Sequence, residues 1–277
     1  MAKISAFADE VVNDFAKQIE FLVSEGIGYI EIRFVNGKNV LDLSKAELTE
    51  AKKMLDANNI AVSAIGSPIG KIRLDENFPD HLDKFRHTVD LARYFETPFI
   101  RVFSYYPADG ESIDECRQQV LDRFALKLDC LDSTDVTMVH ENETGIYGHS
   151  AENCVDLVKS LDSPLLRLAY DPGNFVWGQG ITDSTQSCWP LMKPWVVHVH
   201  IKDWAIDAKV GSLPGAGDGQ VPELLADLAG DGYDGWLTLE PHLQLGGQFG
   251  GHTDAELFSD AVAALKDVSN KAGLKLE

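Results

Sequence analysis

The sequence predicts an α/β fold, a single (β/α)8 TIM barrel, and three observations lead to it. Short runs of β-branched and aliphatic residues alternate with longer amphipathic segments along the chain, which is typical of βα units and a parallel sheet. The chain has 277 residues, close to the roughly 250 that such a barrel needs. No linker or internal repeat interrupts the alternation, so we expect residues 1–277 to form one domain.

The predicted strands are the apolar runs, and the predicted helices lie between them. The strands cover 3–7, 28–33, 60–65, 98–104, 136–141, 165–171, 196–200 and 236–240. The helices cover about 11–25, 42–58, 79–96, 112–132, 150–161, 183–192, 221–229 and 254–272. Capping residues support several of these ends: Gly26 stops the first helix, Ser44 precedes the second, and Pro79 opens the third.

An open, doubly wound sheet is the alternative arrangement of the same elements. That fold usually has a Gly-rich turn after its first strand, whereas this chain has Ala8-Asp9-Glu10 there. The stretch GSPIGK at 66–71 lacks the Lys-Ser/Thr ending of a phosphate loop. The stretch GAGDG at 215–219 does not join a strand directly to a helix, and we expect it to be a mobile loop. The barrel is therefore favoured.

The charge and cysteine content disfavour several classes of partner. With 24 basic and 44 acidic residues, the formal charge is −20, which repels nucleic acid and anionic lipid surfaces. The 4 cysteines have no CxxC spacing, so we expect inert thiols in a reducing compartment. The first residues lack a signal-peptide pattern, and no apolar run approaches about 18 residues. These features predict a cytoplasmic protein without a membrane or nucleic-acid partner.

Four acidic or imidazole side chains stand at the last positions of the fifth to eighth predicted strands: Glu141, Asp171, His200 and Glu240. In a barrel these positions meet at the carboxyl mouth, where active sites lie. Three carboxylates and one imidazole suit Mn²⁺, Mg²⁺ or Co²⁺ better than structural zinc. We expect one divalent metal, with Mn²⁺ first and Zn²⁺ last. The alternative is four unrelated residues that cap helices or bind water.

A metal at this position can chelate the carbonyl and neighbouring hydroxyl of a ketose and stabilise an enediolate. Glu141 and Glu240 are the candidates for the base and acid, one removing a proton beside the carbonyl and the other returning it. The predicted function is a sugar isomerase or epimerase. The same residues could instead eliminate water or a glycosidic group from a keto-sugar, which would make the protein a dehydratase or another lyase.

The chain also resembles the xylose isomerase-like TIM barrels, which include sugar isomerases, ketose 3-epimerases, inosose dehydratases and endonuclease IV. The resemblance covers nearly the whole chain. It rests on Glu141-Asn142, Asp171-Pro172-Gly173-Asn174, His198-Val199-His200-Ile201-Lys202-Asp203 and Leu239-Glu240-Pro241. It implies that the four strand-end residues are the ligands of a single metal, and that the two glutamates are acid and base.

One position departs from the family pattern, because Asn174 stands where the epimerases and endonuclease IV tend to have a histidine. A three-zinc nuclease needs that histidine and others near strands three and four, where this chain has Gly66-Ser67 and Ser104-Tyr105. An endonuclease IV-like phosphodiesterase is therefore disfavoured. A non-catalytic partner subunit is a further alternative, disfavoured by the intact ligand set.

Other residues near the predicted mouth are candidate substrate contacts: Phe7, Ser67, Tyr105, Asn174, Trp177, His198 and Lys202. For the aromatic residues the alternative role is packing, and for Lys202 it is a salt bridge. For His198 the alternative is a place one layer below the metal. Glu31, Arg101 and Arg167 could form a buried charged network, and a catalytic role for the two arginines is the alternative. We expect His242 to lie in a surface loop, with reach into the site as the alternative. The expected partner is a small sugar or keto-sugar, and a homo-oligomer is compatible with the sequence.

Overall fold

Eight parallel strands close into a barrel, and their order around the ring follows the chain. The computed structural model describes residues 1–131, 136–245 and 251–277. The strands are β1 Lys3–Ala6, β2 Tyr29–Ile32, β3 Ala61–Ile65, β4 Phe99–Val102, β5 Thr137–Glu141, β6 Leu166–Tyr170, β7 Val196–Ile201 and β8 Trp236–Leu239. The ring closes where Lys3 aligns with Trp236 and Ala6 with Leu239. The predicted TIM barrel is confirmed, and every strand ends within two residues of its predicted bounds.

The α-helices of the described residues lie around the barrel. They are α1 Phe15–Glu25, α2 Lys45–Ala57, α3 Phe78–Tyr94, α4 Arg117–Leu131, α5 Ala151–Leu161, α6 Pro172–Gln179, α7 Ser184–Ser187, α8 Trp189–Met192, α9 Val221–Gly230 and α10 Ala255–Ala272. The first helix begins later than predicted because the Asp14 side chain caps it, accepting from the Lys17 amide at 3.1 Å. The fourth also begins later than predicted, and its last predicted residue, Asp132, lies outside the described residues.

The predicted helix at 183–192 is two four-residue helices, α7 and α8. Pro190 has no amide hydrogen to donate to the preceding turn, so a continuous helix is broken there. The sequence prediction also missed α6. Asp171 caps that helix by accepting from the Asn174 amide at 3.0 Å, Pro172 occupies its first turn, and Gly180 ends it at φ 69°. Asp-Pro-Gly-Asn has the composition of a turn, but here it starts a helix.

The hydrophobic core lies between the barrel and the helices, and it includes the fully buried Phe85, Phe124 and Phe258. Inside the barrel many buried side chains are polar. Ser5 Oγ lies 2.7 Å from Ser63 Oγ. Because burial of unpaired polar groups is costly, such a lining is stable only when its members bond one another or a ligand.

The strands β2, β7 and β8 are each followed by a small antiparallel hairpin that the sequence did not predict. The hairpins pair Phe34–Val35 with Lys38–Asn39, Asp203–Ala205 with Val210–Ser212, and Gln244–Leu245 with Gly251–His252. The Asp203 carboxylate also accepts from the amides of Gly215, Gly217 and Gly219 at 2.9 to 3.0 Å. The GAGDG loop is thus bonded to the end of β7. In the described part of the chain, every helix is too short or too polar to span a lipid bilayer.

Candidate metal centre and active-site pocket

The ends of β5 to β8 bring Glu141, Asp171, His200 and Glu240 together at the carboxyl mouth of the barrel. Each side chain offers one potential ligand atom, and these four atoms lie within 4.8 Å of one another. All four residues are buried. The sequence predicted this convergence from strand ends alone, and the barrel register produces it.

The cluster fits a divalent cation. Among the described residues, neither Asp171 Oδ2 nor His200 Nδ1 has a hydrogen bond of acceptable geometry. Lys202 Nζ lies 3.0 Å from the first atom and Glu141 Oε1 lies 3.1 Å from the second, but only as ion-pair contacts. Buried polar atoms are normally satisfied. A cation held by three carboxylates and an imidazole would satisfy both atoms, and the donor set suits a hard divalent metal.

A second layer of polar residues supports His200 from below. Glu31 Oε2 lies 3.1 Å from His200 Nε2 and 2.8 Å from His198 Nε2, and Thr238 Oγ1 lies 2.9 Å from the same His198 nitrogen. His198 is therefore fixed beneath the cluster, in the place one layer below the metal that the sequence offered as its alternative. Arg167 does not join Glu31, because it donates to the carbonyls of Ser163 and Leu166.

Each candidate acid or base has its own set of cationic neighbours. Burial opposes ionisation of Glu141, but His200 and Arg101 outweigh it and lower the pKa of that carboxyl to about 2. Burial likewise opposes ionisation of Glu240, yet Lys202 and other cations hold its pKa well below the usual value. Asp171 differs, since burial raises its pKa to about 7 despite Lys202. Both glutamates are thus carboxylates at neutral pH.

Lys202 lies among the candidate ligands. Its Nζ is 3.0 Å from Asp171 Oδ2 and 3.2 Å from Glu240 Oε2, so the salt bridge considered from the sequence is present, and Lys202 also lines the pocket. Asn174, from the first turn of α6, donates to Glu141 Oε1 at 3.2 Å and to the Asn142 carbonyl at 2.9 Å. Asn174 therefore positions one candidate base.

Sequence reasoning missed a second charged group beside Glu240. Arg33 donates to Glu240 Oε1 at 2.8 Å and to Asp9 Oδ2 at 2.9 Å. His242 Nε2 lies 3.0 Å from Glu10 Oε1 and 3.4 Å from Glu240 Oε1. The preferred prediction of a surface loop histidine was therefore wrong, and the alternative, reach into the site, is what the structure has. The signal was available: Asp9 and Glu10 follow β1 closely, and Arg33 follows β2 directly, as the ligands follow β5 to β8.

The pocket above the cluster contains about 450 Å³ of space not occupied by protein atoms, including solvent at its mouth. Its lining is mostly charged and includes Arg33, Lys71, Arg101, Glu141, Lys202 and Glu240. Phe7 is buried, with its ring centroid 4.2 Å from the Arg33 guanidinium carbon and 5.4 Å from the His200 ring. It supports these two residues.

Three candidate substrate contacts lie elsewhere. Tyr105 has φ 70°, and its buried ring packs against Phe78 and Phe124 in the layer between strands and helices. Ser67 is buried and donates to the Arg101 carbonyl at 2.5 Å. Trp177 on α6 is 54% exposed and stands 6.5 Å from the Trp204 ring. None of the three lines the pocket.

The sequence of this chain matches one known family. The sequence model of the xylose isomerase-like TIM barrels matches residues 19–268. The chain belongs to this family. No curated protein matches it.

Three solved structures are similar in fold to this xylose isomerase-like barrel. D-psicose 3-epimerase from Clostridium cellulolyticum H10, solved with D-tagatose, has 17% identity and a TM-score of 0.75, over 98% of this chain and 99% of that one. The E. coli 3-keto-D-glucoside 4-epimerase has 14% identity and a TM-score of 0.74, over 96% and 100%. The probable 3-DHS dehydratase of Bacillus anthracis has 17% identity and a TM-score of 0.73, over 96% and 99%.

Proposed function

We propose that this xylose isomerase-like barrel is a divalent-metal-dependent isomerase or epimerase that moves a proton beside the carbonyl of a ketose or keto-sugar. The observation that carries the proposal is the pair Glu141 and Glu240. Both are carboxylates at neutral pH, both line one pocket, and both belong to the cluster completed by Asp171 and His200. Two bases on one small pocket allow a proton to be removed and returned.

Glu141, Asp171, His200 and Glu240 would hold the metal, with Mn²⁺ first and Mg²⁺ or Co²⁺ as alternatives. When bound, such an ion supplies positive charge beside the carbonyl oxygen and acidifies the adjacent C–H. One glutamate takes that proton. Its return to the neighbouring carbon, with transfer of the hydroxyl proton to the former carbonyl oxygen, gives isomerisation. In epimerisation the other glutamate, after taking up a proton from solvent, delivers it to the opposite face of the same carbon, and the first glutamate releases its proton to solvent.

Neighbouring side chains assist each glutamate. Asn174 and Arg101 donate to Glu141, which fixes the orientation of its carboxylate. The Lys202 ammonium, 3.2 Å from Glu240 Oε2, is placed to donate to a substrate oxygen that gains negative charge. The structural likeness to ketose and keto-glucoside epimerases supports a sugar of this class as the substrate.

A keto-sugar lyase or dehydratase is the second candidate, and Lys202 is the observation that favours it. An ammonium beside a basic carboxylate can protonate a leaving hydroxyl after the carbon has lost its proton. The likeness to a probable 3-DHS dehydratase supports the same alternative. Both reactions begin with the same proton removal.

Incubation of the Mn²⁺-loaded protein with ketoses and keto-glycosides in heavy water, followed by NMR, tests the proposal. We expect deuterium at the carbon beside the carbonyl, in recovered substrate or in its epimer. Glu141→Gln and Glu240→Gln should each slow this exchange by about 10² to 10⁴-fold, while the surface control Glu96→Gln should not change it.

The other outcomes separate the alternatives. A dehydrated product or a released fragment would establish the lyase. Incision of abasic-site DNA would establish a phosphodiesterase instead. Full exchange activity after exhaustive removal of divalent metal, or none with any metal and substrate, would overturn the proposal.

A further inference from the structure

Arg101 is a buried cation whose hydrogen-bonding capacity is only partly used. It lies on β4, is 5% exposed and lines the pocket. One terminal nitrogen donates to Glu141 Oε2 at 3.3 Å and the other to the Ser67 carbonyl at 3.4 Å. Both contacts are long for a charged donor. Within the described residues Arg101 Nε has no hydrogen-bond partner, and a guanidinium left unsatisfied in a buried place is costly.

Aromatic rings hold this guanidinium in place. Its central carbon lies 5.0 Å from the centroid of the Phe7 ring and 4.9 Å from that of Phe103. Lys71 Nζ lies 4.3 Å from the same Phe103 ring. Arg101 and Lys71 thus contact the same aromatic ring and line one pocket. Stacking on aromatic rings fixes the plane of an arginine and orients its donors.

The other cations of the pocket have closer acidic partners. Arg33 contacts Asp9 and Glu240, and Lys202 lies between Asp171 and Glu240. Lys71 pairs with Glu143 at 2.9 Å near the mouth, where its side chain is 28% exposed. Among the residues that the structure describes, Arg101 makes one ion-pair contact, with Glu141, and His200 also approaches that carboxylate. It is the pocket cation with most positive charge left for a ligand.

The chemistry of these donors selects the group that they can bind. Arginine and lysine only donate hydrogen bonds, so they suit an acceptor without hydrogens better than a sugar hydroxyl, which also donates. A carboxylate accepts two parallel bonds from a guanidinium. Its single negative charge also matches the one cation that is weakly paired.

We propose that Arg101, assisted by Lys71, binds a carboxylate of the substrate, so that within the ketose and keto-sugar class the pocket prefers members that carry a carboxylate to neutral ones. This inference rests on the proposed function, because it assigns the group that holds the substrate while its carbonyl end faces Glu141 and Glu240. Arg101 is then the specificity-determining residue of the pocket.

Binding of matched ligands to the full-length, Mn²⁺-loaded protein tests this inference by calorimetry. The first pair is D-glucuronate with D-glucose, which differ by a carboxylate in place of a hydroxymethyl group. The second pair is quinate with myo-inositol, cyclic polyols that differ by a carboxylate and by two hydroxyl groups, and D-glucose 6-phosphate is a third kind of probe. We expect at least one carboxylate to bind about tenfold or more tightly than its neutral partner. Arg101→Met should abolish that preference by weakening carboxylate binding much more than neutral-ligand binding, and Arg101→Lys should retain part of it. The surface control Arg86→Met should preserve it.

Several results would overturn the inference. Equal affinity for the two ligands of each pair would do so. An equal loss of carboxylate and neutral-ligand binding in Arg101→Met would do so as well, because it would show that Arg101 is only a structural partner of Glu141. If the protein prefers the phosphate to glucuronate and this preference depends on Arg101, the group that Arg101 binds is a phosphate and not a carboxylate. If Arg101→Met does not fold, Arg101→Lys and Lys71→Met give the same comparison, and a preference unchanged in both overturns the proposal.

The two proposals can fail separately. Deuterium exchange on neutral ketoses, without any preference for carboxylates, would overturn the inference and leave the proposed function standing. Absence of metal binding or exchange would overturn the proposed function, whereas Arg101-dependent carboxylate binding would still support the inference about the pocket.

Discussion

Glu31 Oε2 lies 3.1 Å from Nε2 of His200, and the other imidazole nitrogen, Nδ1, faces Glu141 Oε1 at 3.1 Å. A carboxylate that accepts from one ring nitrogen leaves the second as a lone-pair donor and fixes the ring orientation. Glu31, on β2, therefore acts on the candidate metal centre without contributing a ligand to it.

We predict that Glu31→Gln weakens metal binding by about 10 to 100-fold, as is usual when a carboxylate behind a ligating histidine is lost. An amide cannot supply the negative charge that Glu31 places next to His198 and His200. Equilibrium dialysis with Mn²⁺ measures the change. Glu96→Gln, a surface substitution, is the matched control, and unchanged affinity in Glu31→Gln would remove this role from Glu31.

Lys202→Met gives a second prediction, because the lysine lies between two candidate ligands. Without its charge, Asp171 and Glu240 lose a buried counterion, and we expect the metal-free protein to lose about 3–5 kcal/mol of stability. The same change removes a cation that repels the metal, so Mn²⁺ should raise the melting temperature of the variant more than that of the wild type.

Thermal denaturation with excess chelator measures the stability of the metal-free protein, and denaturation with excess Mn²⁺ measures the metal-induced shift in melting temperature. The surface substitution Lys52→Met should leave the metal-induced shift unchanged. A shift in Lys202→Met no larger than that of the wild type would show that the ammonium and the metal do not share the same carboxylates.

The third prediction concerns Lys127 on α4, which is fully buried. Its Nζ lies 3.5 Å from the Phe124 ring centroid, and in the described part of the chain it has no hydrogen-bond partner. Burial, together with the nearby Arg123, lowers its pKa well below the usual value. The folded protein therefore releases this proton more readily than the unfolded chain, whose lysine titrates near the ordinary 10.5.

The sign of the pH effect follows from that difference. The contribution of Lys127 to stability is fully present only above the unfolded pKa, and it is lost as pH falls toward the folded pKa. We expect Lys127→Met to be about 1–3 kcal/mol more stable than the wild type near neutral pH, with the difference shrinking toward pH 10. Urea unfolding at several pH values measures it, with the exposed Lys53→Met as control. A pH-independent difference would contradict the prediction.

The strands and the four clustered side chains could be predicted because both depend on local patterns. A β-branched run followed by turn residues specifies a buried strand, and closing eight such strands necessarily gathers their ends. Glu141, Asp171, His200 and Glu240 were found for that reason. Helix α6 was missed because Asp171-Pro172-Gly173-Asn174 is compatible with a turn and with a capped helix start.

Other parts of the site depend on contacts between distant segments, which one sequence does not reveal. His242 meets Glu10 across most of the chain, so its place in the pocket required the closed barrel. Tyr105 illustrates a different limit. The alternation of faces along a strand predicts side-chain direction only while the backbone stays extended, and at φ 70° Tyr105 has left the strand and faces the helices.

The barrel ring closes between β1 and β8, and Glu240 stands at that seam. Its neighbours Arg33 and His242 connect it to Asp9 and Glu10, which follow β1. The four candidate ligands come from four consecutive strands, β5 to β8, and Glu240 is the one whose ion pairs continue across the seam. A cation held by all four would therefore connect the carboxyl ends of half of the ring. Because such an ion binds the folded barrel and not the unfolded chain, its concentration would raise the free energy of unfolding by mass action.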